Sequence, residues 1–256
     1  MNRGEVFSVG GHPRVDVRIQ SGRVDIDAGT SDGVIEVLAE GKDADALEIK
    51  AFGDTVTIRQ PPGGWLRSSA IRLHLRTPAG SEVSISSASA DVAVSGRIGE
   101  LAAKLASGDI RIEGAANVQV RTASGDVRIK SVAGNAEIAT ASGDVQIGNV
   151  EGRIGVTLAS GNLRIERACD SVQVNSASGD IGVACCLGDD INFKTVSGDI
   201  QVGLPKGIKV DADLTSLSGE LNMPKKAHPV RSGSDSRLVR LSAKSISGDI
   251  RVNTVD

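Results

Sequence analysis

ASGDVRI at Ala123–Ile129 and ASGDVQI at Ala141–Ile147 decide how this chain reads. Each is a Ser-Gly-Asp triplet followed by apolar–polar–apolar alternation, the pattern of a short strand with one buried face. The triplet recurs at Ser107-Gly108-Asp109, Ser124-Gly125-Asp126, Ser142-Gly143-Asp144, Ser178-Gly179-Asp180, Ser197-Gly198-Asp199 and Ser247-Gly248-Asp249. Variants stand at Ser89-Ala90-Asp91, Ser160-Gly161-Asn162 and Ser218-Gly219-Glu220. The middle residues fall at 90, 108, 125, 143, 161, 179 and 198, a step of 17 to 19, and then at 219 and 248. So constant a step marks an internal repeat.

Each repeat unit holds a second strand. A turn falls midway, at Gly134, Gly152 and Gly188, and alternation resumes after it, as in Ile154 and Val156 or Val172 and Val174. A further apolar column lies six residues after the Asp, at Ala115, Val132, Val150, Ala168 and Cys186, so Cys186 reads as a small core hydrophobe. A unit this short has no room for a crossover helix. The predicted fold is therefore all-β, a parallel β-helix or β-solenoid of about 18 residues per rung. Right-handedness is expected from the general preference of parallel crossovers.

At each corner glycine supplies a positive-φ turn, and Ser and Asp are expected to hydrogen-bond nearby backbone. The result is a structural turn column of Gly108, Asp109, Gly125, Asp126, Gly143, Asp144, Gly179, Asp180, Gly198, Asp199, Gly248 and Asp249. Asp and the residue two positions on share a strand's outer face. That pairs Asp109 with Arg111, Asp126 with Arg128 and Asp249 with Arg251.

Residues 1–85 alternate less regularly and read as an irregular N-terminal β region, either degenerate early rungs or a separate β cap, with 86–256 as the solenoid. A cap answers the exposed strand edges of an open solenoid end. Residues 222–235, with Pro224, Pro229, Lys225 and Lys226, read as a loop insertion before a final rung at Leu238–Val252.

Composition narrows the function. Net charge is −3, from 29 basic and 32 acidic residues, which is no footprint for nucleic acid. With no Tyr, one Trp and three Phe, stacking platforms for bases or sugars are scarce. Three Cys in odd number make no disulfide framework, and three well-separated His give no zinc spacing. The opening MNRGEVFSVGG lacks a signal-peptide pattern, so a cytoplasmic protein without a membrane span is the expectation.

The iterated Ala-Ser-Gly-Asp-(Val/Ile)-x-(Val/Ile) units of Ala123–Ile129 and Ala141–Ile147 resemble the bacterial family of candidate adhesins built from β-strand repeats, whose function is unknown. Phe7-Ser-Val9, Val15–Ile19 and Ser21-Gly-Arg-Val24 are similar to the start of its actinobacterial members. The resemblance implies a β-solenoid, a bacterial source and a link to the cell envelope. It carries over no catalytic residue.

No catalytic, cofactor-binding or metal-ligating residue is assigned. Repeated Asp at β-helix corners binds calcium when several oxygens converge, but here each corner brings only one Asp and one Ser, and neighbouring Arg residues compete with a cation. Parallel β-helices also carry polysaccharide lyases and hydrolases, which need a cleft built by long loops, and the rungs from 91 to 198 are nearly loop-free. The leading expectation is a non-enzymatic scaffold presenting a regular polar solenoid surface to a protein or envelope partner. The alternatives are a polysaccharide-active enzyme and a solenoid that self-associates through its ends into homo-oligomers.

Overall fold

The computed structural model describes residues 2–30, 33–61, 70–223 and 238–255. They form an all-β solenoid of stacked parallel strands, in two compact units, 1–133 and 134–256. The expected loop insertion lies, from residue 224, outside the described residues, as does His228.

The first unit begins with β1 (Asn2–Ser8), β2 (Arg14–Thr30) and β3 (Val34–Glu40). A 3-10 turn at Ala44–Ala46 leads to β4 (Glu48–Phe52), β5 (Thr55–Arg59) and β6 (Ile71–Pro78). The long β7 (Glu82–Ser107), β8 (Ile110–Ser124) and β9 (Val127–Val132) complete it. Strand β7 pairs in parallel with β8, at an offset of 18 residues as far as Val94 and 17 from Arg97, and β8 pairs with β9 at 17, as in Ile110 with Val127.

Residues 1–85 hold both of the expected alternatives, an early rung and a cap. Strand β2 is itself a full rung: Val15–Ile19 and Gly22–Ala28 pair with Val83–Ser87 and Ala90–Gly96 of β7. Its other edge takes β5 and β6, also in parallel. The cap proper is antiparallel, with β4 on β5, β3 on β6 and β1 on β3. Strand β7 runs unbroken through residues 85 and 86, so no boundary falls there. The long excursion between β2 and β7 hides the rung from any search at the repeat step.

In the second unit two walls alternate along the chain. One holds β10 (Ala136–Ser142), β12 (Ile154–Ser160), β14 (Val172–Ser178) and β16 (Asp190–Ser197). The other holds β11 (Val145–Val150), β13 (Leu163–Ala168), β15 (Ile181–Cys186) and β17 (Ile200–Pro205). Each strand pairs in parallel with the next in its wall. Then come β18 (Lys209–Ser218), β19 (Leu221–Asn222), β20 (Leu238–Ser247) and β21 (Ile250–Val255).

The order of these last strands corrects the expected final rung. Strand β20 pairs with β16 on one side and β18 on the other, and β21 lies likewise between β17 and β19. The rung at 238–252, last in sequence, is thus next to last in space. Among the described residues the outermost rung is β18–β19.

The core is a set of aliphatic columns: Val127 and Ile129, Val145 and Ile147, and Leu163 and Ile165 are all buried. Cys186 is buried beside Ala168 in its column, and Cys169 and Cys185 are half-buried free thiols. β-Branched side chains suit this stacking because each sits on a pleated surface above its own copy.

Candidate functional site: the corner column and the apolar row

The corner glycines combine two requirements. Gly125 has φ +122°, and a Cβ there would lie 2.2 Å from the carbonyl oxygen of Gly108 in the rung before. Gly108, Gly143, Gly179, Gly198 and Gly248 share the positive φ. Close backbone approach between rungs demands glycine as much as the turn itself does.

The acidic residue at the corner links one rung to the next. In the first unit the Asp109 N–H donates to Asp91 Oδ1 at 3.0 Å, and the Asp126 N–H to Asp109 Oδ1 at 3.1 Å. In the second unit the Asn162 N–H donates to Asp144 Oδ1 at 2.8 Å, and the Asp180 N–H to Asn162 Oδ1 at 3.0 Å. The same bond joins Asp199 to Asp180, Asp249 to Asp199 and Glu220 to Asp249, at 2.8 to 2.9 Å. Each side-chain oxygen satisfies a backbone donor that the corner geometry turns out of the strand ladder. The expectation of bonds to nearby backbone falls short here, because the partner sits one rung away. Asn162 was the legible signal: an amide in the Asp column says that an acceptor oxygen, and not a charge, is required.

The second carboxylate oxygen faces outward. Asp109, Asp126 and Asp249 hold Arg111, Arg128 and Arg251 through Oδ2, at 3.1, 2.9 and 2.7 Å. Asp109 and Asp249 are thereby engaged on two sides, by a backbone N–H and by a guanidinium. Among the described residues no group of three or more His, Cys, Asp or Glu side chains is placed to hold a metal ion.

Two features of the corner went unread. Ser21-Gly22-Arg23 lies in register with Ser89-Ala90-Asp91, so the motif begins one rung earlier with Arg in the Asp position. The hydrogen bond from Arg23 to Asp25, with the charges of Asp25 and Asp91, pushes the Arg23 pKa above its ordinary value. Its Ser-Gly-x-Val-x-Ile pattern matched the repeat, while its spacing did not. The other feature is a row of buried hydroxyls. Thr122, Thr140, Ser176 and Thr195 each donate to the carbonyl of the serine two residues on, at 2.9 to 3.3 Å.

The family profile "Toastrack DUF4097" matches residues 12–256. The chain belongs to this family. No curated protein matches the chain. Solved structures similar to this Toastrack chain include a candidate lipid-binding protein from Parabacteroides distasonis, 14% identical, with 100% of this chain and 97% of that one covered and a TM-score of 0.44. A candidate adhesin from Parabacteroides merdae is 10% identical, with 97% and 95% covered and a TM-score of 0.41. One from Bacteroides fragilis is 12% identical, with 98% and 97% covered and a TM-score of 0.38.

Beside the corner column the Toastrack chain presents an outward row, the residue preceding each corner serine. In the second unit this row is Ala141, Ala159, Ala177, Val196, Ile246 and Leu217 in spatial order, all exposed. Val196, Ile246 and Leu217 stand side by side on β16, β20 and β18, and are 51%, 51% and 80% exposed. Lys194 and Lys244 flank the row two residues earlier on the same face. Among the described residues no helix is long and apolar enough to cross a membrane.

Proposed function

We propose that this Toastrack chain is a non-enzymatic interaction scaffold whose outer wall offers a straight row of repeated side chains to a protein partner. The observation that carries this reading is the trio Val196, Ile246 and Leu217. Three large apolar side chains lie together on a solvent-facing wall whose other rungs keep alanine at that position. Contiguous exposed apolar surface marks interaction sites. The corner column is on this reading a structural element, since its side-chain oxygens hold inter-rung hydrogen bonds and three of its carboxylates also pair with arginine.

The test is a turnover assay on a panel of polyuronates and other acidic glycans, with melting measured with and without calcium. No product and an unchanged melting temperature are expected. Product formation that a single carboxylate-to-amide substitution abolishes would overturn the scaffold reading in favour of a polysaccharide-active enzyme.

A further inference from the structure

The outer edge of β18 is unfinished in three ways. Its backbone pairs with β20 on one side, and no strand among the described residues lies on the other. Its inward residues Val210, Ala212, Leu214 and Ser216 are only half-buried, whereas Val239, Leu241, Ala243 and Ser245 beneath them in the same columns are buried. Glu220 gives its N–H to Asp249, but its own carboxylate receives no backbone N–H from a further rung among the described residues.

An added β-strand meets the first two needs together, the backbone edge and the open core columns. Lipid chains would cover the columns and leave the backbone groups of the edge unpaired in hydrocarbon, which is costly. The charges on β18 do not guard the edge as edge charges often do. Asp213 is tied to Lys244 at 3.1 Å, and Asp211 lies opposite Arg240 in the pairing with β20.

We infer that the occupant is the β18 edge of a second copy, giving a tail-to-tail dimer; this rests on the reading of the chain as an interaction scaffold. The strand is complementary to itself. Antiparallel pairing about Asp213 sets Ala212 opposite Leu214 of the second copy and Leu214 opposite its Ala212. Small thus meets large on both sides of the axis, and the core columns close. The same register puts Val210 against Ser216, Asp211 against Thr215, and the aliphatic stem of Lys209 over Leu217. The one like-charge contact, Asp213 with its copy, is offset by the Lys244 that each protomer already holds against it. Such an isologous contact uses the same edge on both partners and stops at two.

Light scattering with size exclusion, run on the full chain across a concentration series, tests this. A reversible monomer–dimer equilibrium is expected, weakened about tenfold or more by Leu214→Lys, which sets a charge into the joined core. Hydrogen exchange of β20 in the variant checks that the rung beneath stays folded. Asp213→Cys is expected to give a disulfide-linked dimer under mild oxidation where the parent chain, with its own cysteines, gives none. A chain that stays monomeric at every concentration, with no cross-link, would overturn the inference and leave the glycan result untouched. So would a dimer insensitive to Leu214→Lys but lost on Val196→Ser with Ile246→Ser. Binding of a monomeric chain to phosphatidylglycerol vesicles, lost in Leu214→Lys, would overturn it in favour of a lipid surface.

Discussion

At the N-terminal end β5 and β6 lie outside β2; at the C-terminal end β18 and β19 lie outside β20 and β21. In both places the outer rung is formed by a stretch that lies in sequence between the strand it covers and the regular rungs, so that strand is threaded in beneath it. Threading gives the inner strand partners on both sides, where an edge strand would expose unpaired backbone groups. The ends then diverge. Antiparallel β3 and β4 cover β6 and β5, burying Leu73 and Ile58. Nothing among the described residues covers β18, and Leu214 stays half-buried. Threading secures the strand beneath; only the antiparallel layer turns an outer rung into core.

The largest effect should come from a corner that cannot yield. A Cβ at Gly248 would lie 2.1 Å from the Gly198 carbonyl oxygen, with φ at +146°, at a corner between two strands each held from both sides. Gly248→Ala should cost about 3 kcal/mol or more, through overpacking and backbone strain together. Gly219 meets the Gly248 oxygen at the same 2.1 Å, but its rung has no neighbour above among the described residues and can lift away. Gly219→Ala should cost clearly less, by urea unfolding of both variants. Equal costs would mean that the outer rung is as tightly held as the inner one.

Leucine truncations compare the two ends directly. Leu73, in the outer rung of the capped end, is 0% exposed, and Leu241, in the threaded strand, is 1% exposed. Each should lose about 2–4 kcal/mol on change to Ala. Leu214→Ala should lose under about 1 kcal/mol when measured at concentrations where the chain is monomeric, because little of its apolar surface leaves water there. A Leu214 cost matching that of Leu73 would show that the C-terminal end carries a cover of its own.

The corner ladder extends the comparison to a polar group. Asp199 accepts the Asp249 N–H at 2.8 Å, so Asp199→Ala should orphan that donor and cost about 1–2 kcal/mol. Asp199→Asn keeps the acceptor and should be nearly neutral, as Asn162 already is in its place in the column. Glu220→Ala, at the unfinished end, should change monomer stability by no more than a few tenths of a kcal/mol, the scale of ordinary surface substitutions. Thermal unfolding of the three variants separates these outcomes.

Much of this was legible because the repeat writes local chemistry at a fixed step. Glycine at the corner, the alternation of Val127 and Ile129, and the Asp–Arg pairs two residues apart depend only on near neighbours in sequence. The strand order at each end depends on which segment is threaded, and that is decided by pairing over long separations. The triplet at 247–249 looks alike as a final rung or as one slipped beneath its predecessor. Ser21-Gly22-Arg23 was hidden for the same reason, with a cap inserted between it and the next corner. The row ending in Val196, Ile246 and Leu217 was visible as apolar residues before serine, but its exposure follows from the corner turning that position outward. Only the spatial order 196, 246, 217 makes the three neighbours.

The smallest effect lies in the first unit and gives that unit a handle of its own. The Glu113 carboxylate accepts the Gly96 N–H at 3.0 Å, where the pairing of β7 with β8 shifts register, and lies 3.3 Å from Lys130. The Gly96 hydrogen bond first, and Lys130 second, hold its pKa below the ordinary value of 4.5. A carboxyl whose pKa is lowered by folding adds stability that is fully present above the unfolded value and fades as pH falls through the folded one. Acid below about pH 4.5 should therefore loosen the Gly96 turn, read as a lower protection factor of its amide once exchange is normalised to the intrinsic rate at each pH. Glu113→Gln, which has no proton to gain, should remove that pH dependence and leave exchange in β18 unchanged. An equal acid response in the Gln variant would show that another group governs the turn.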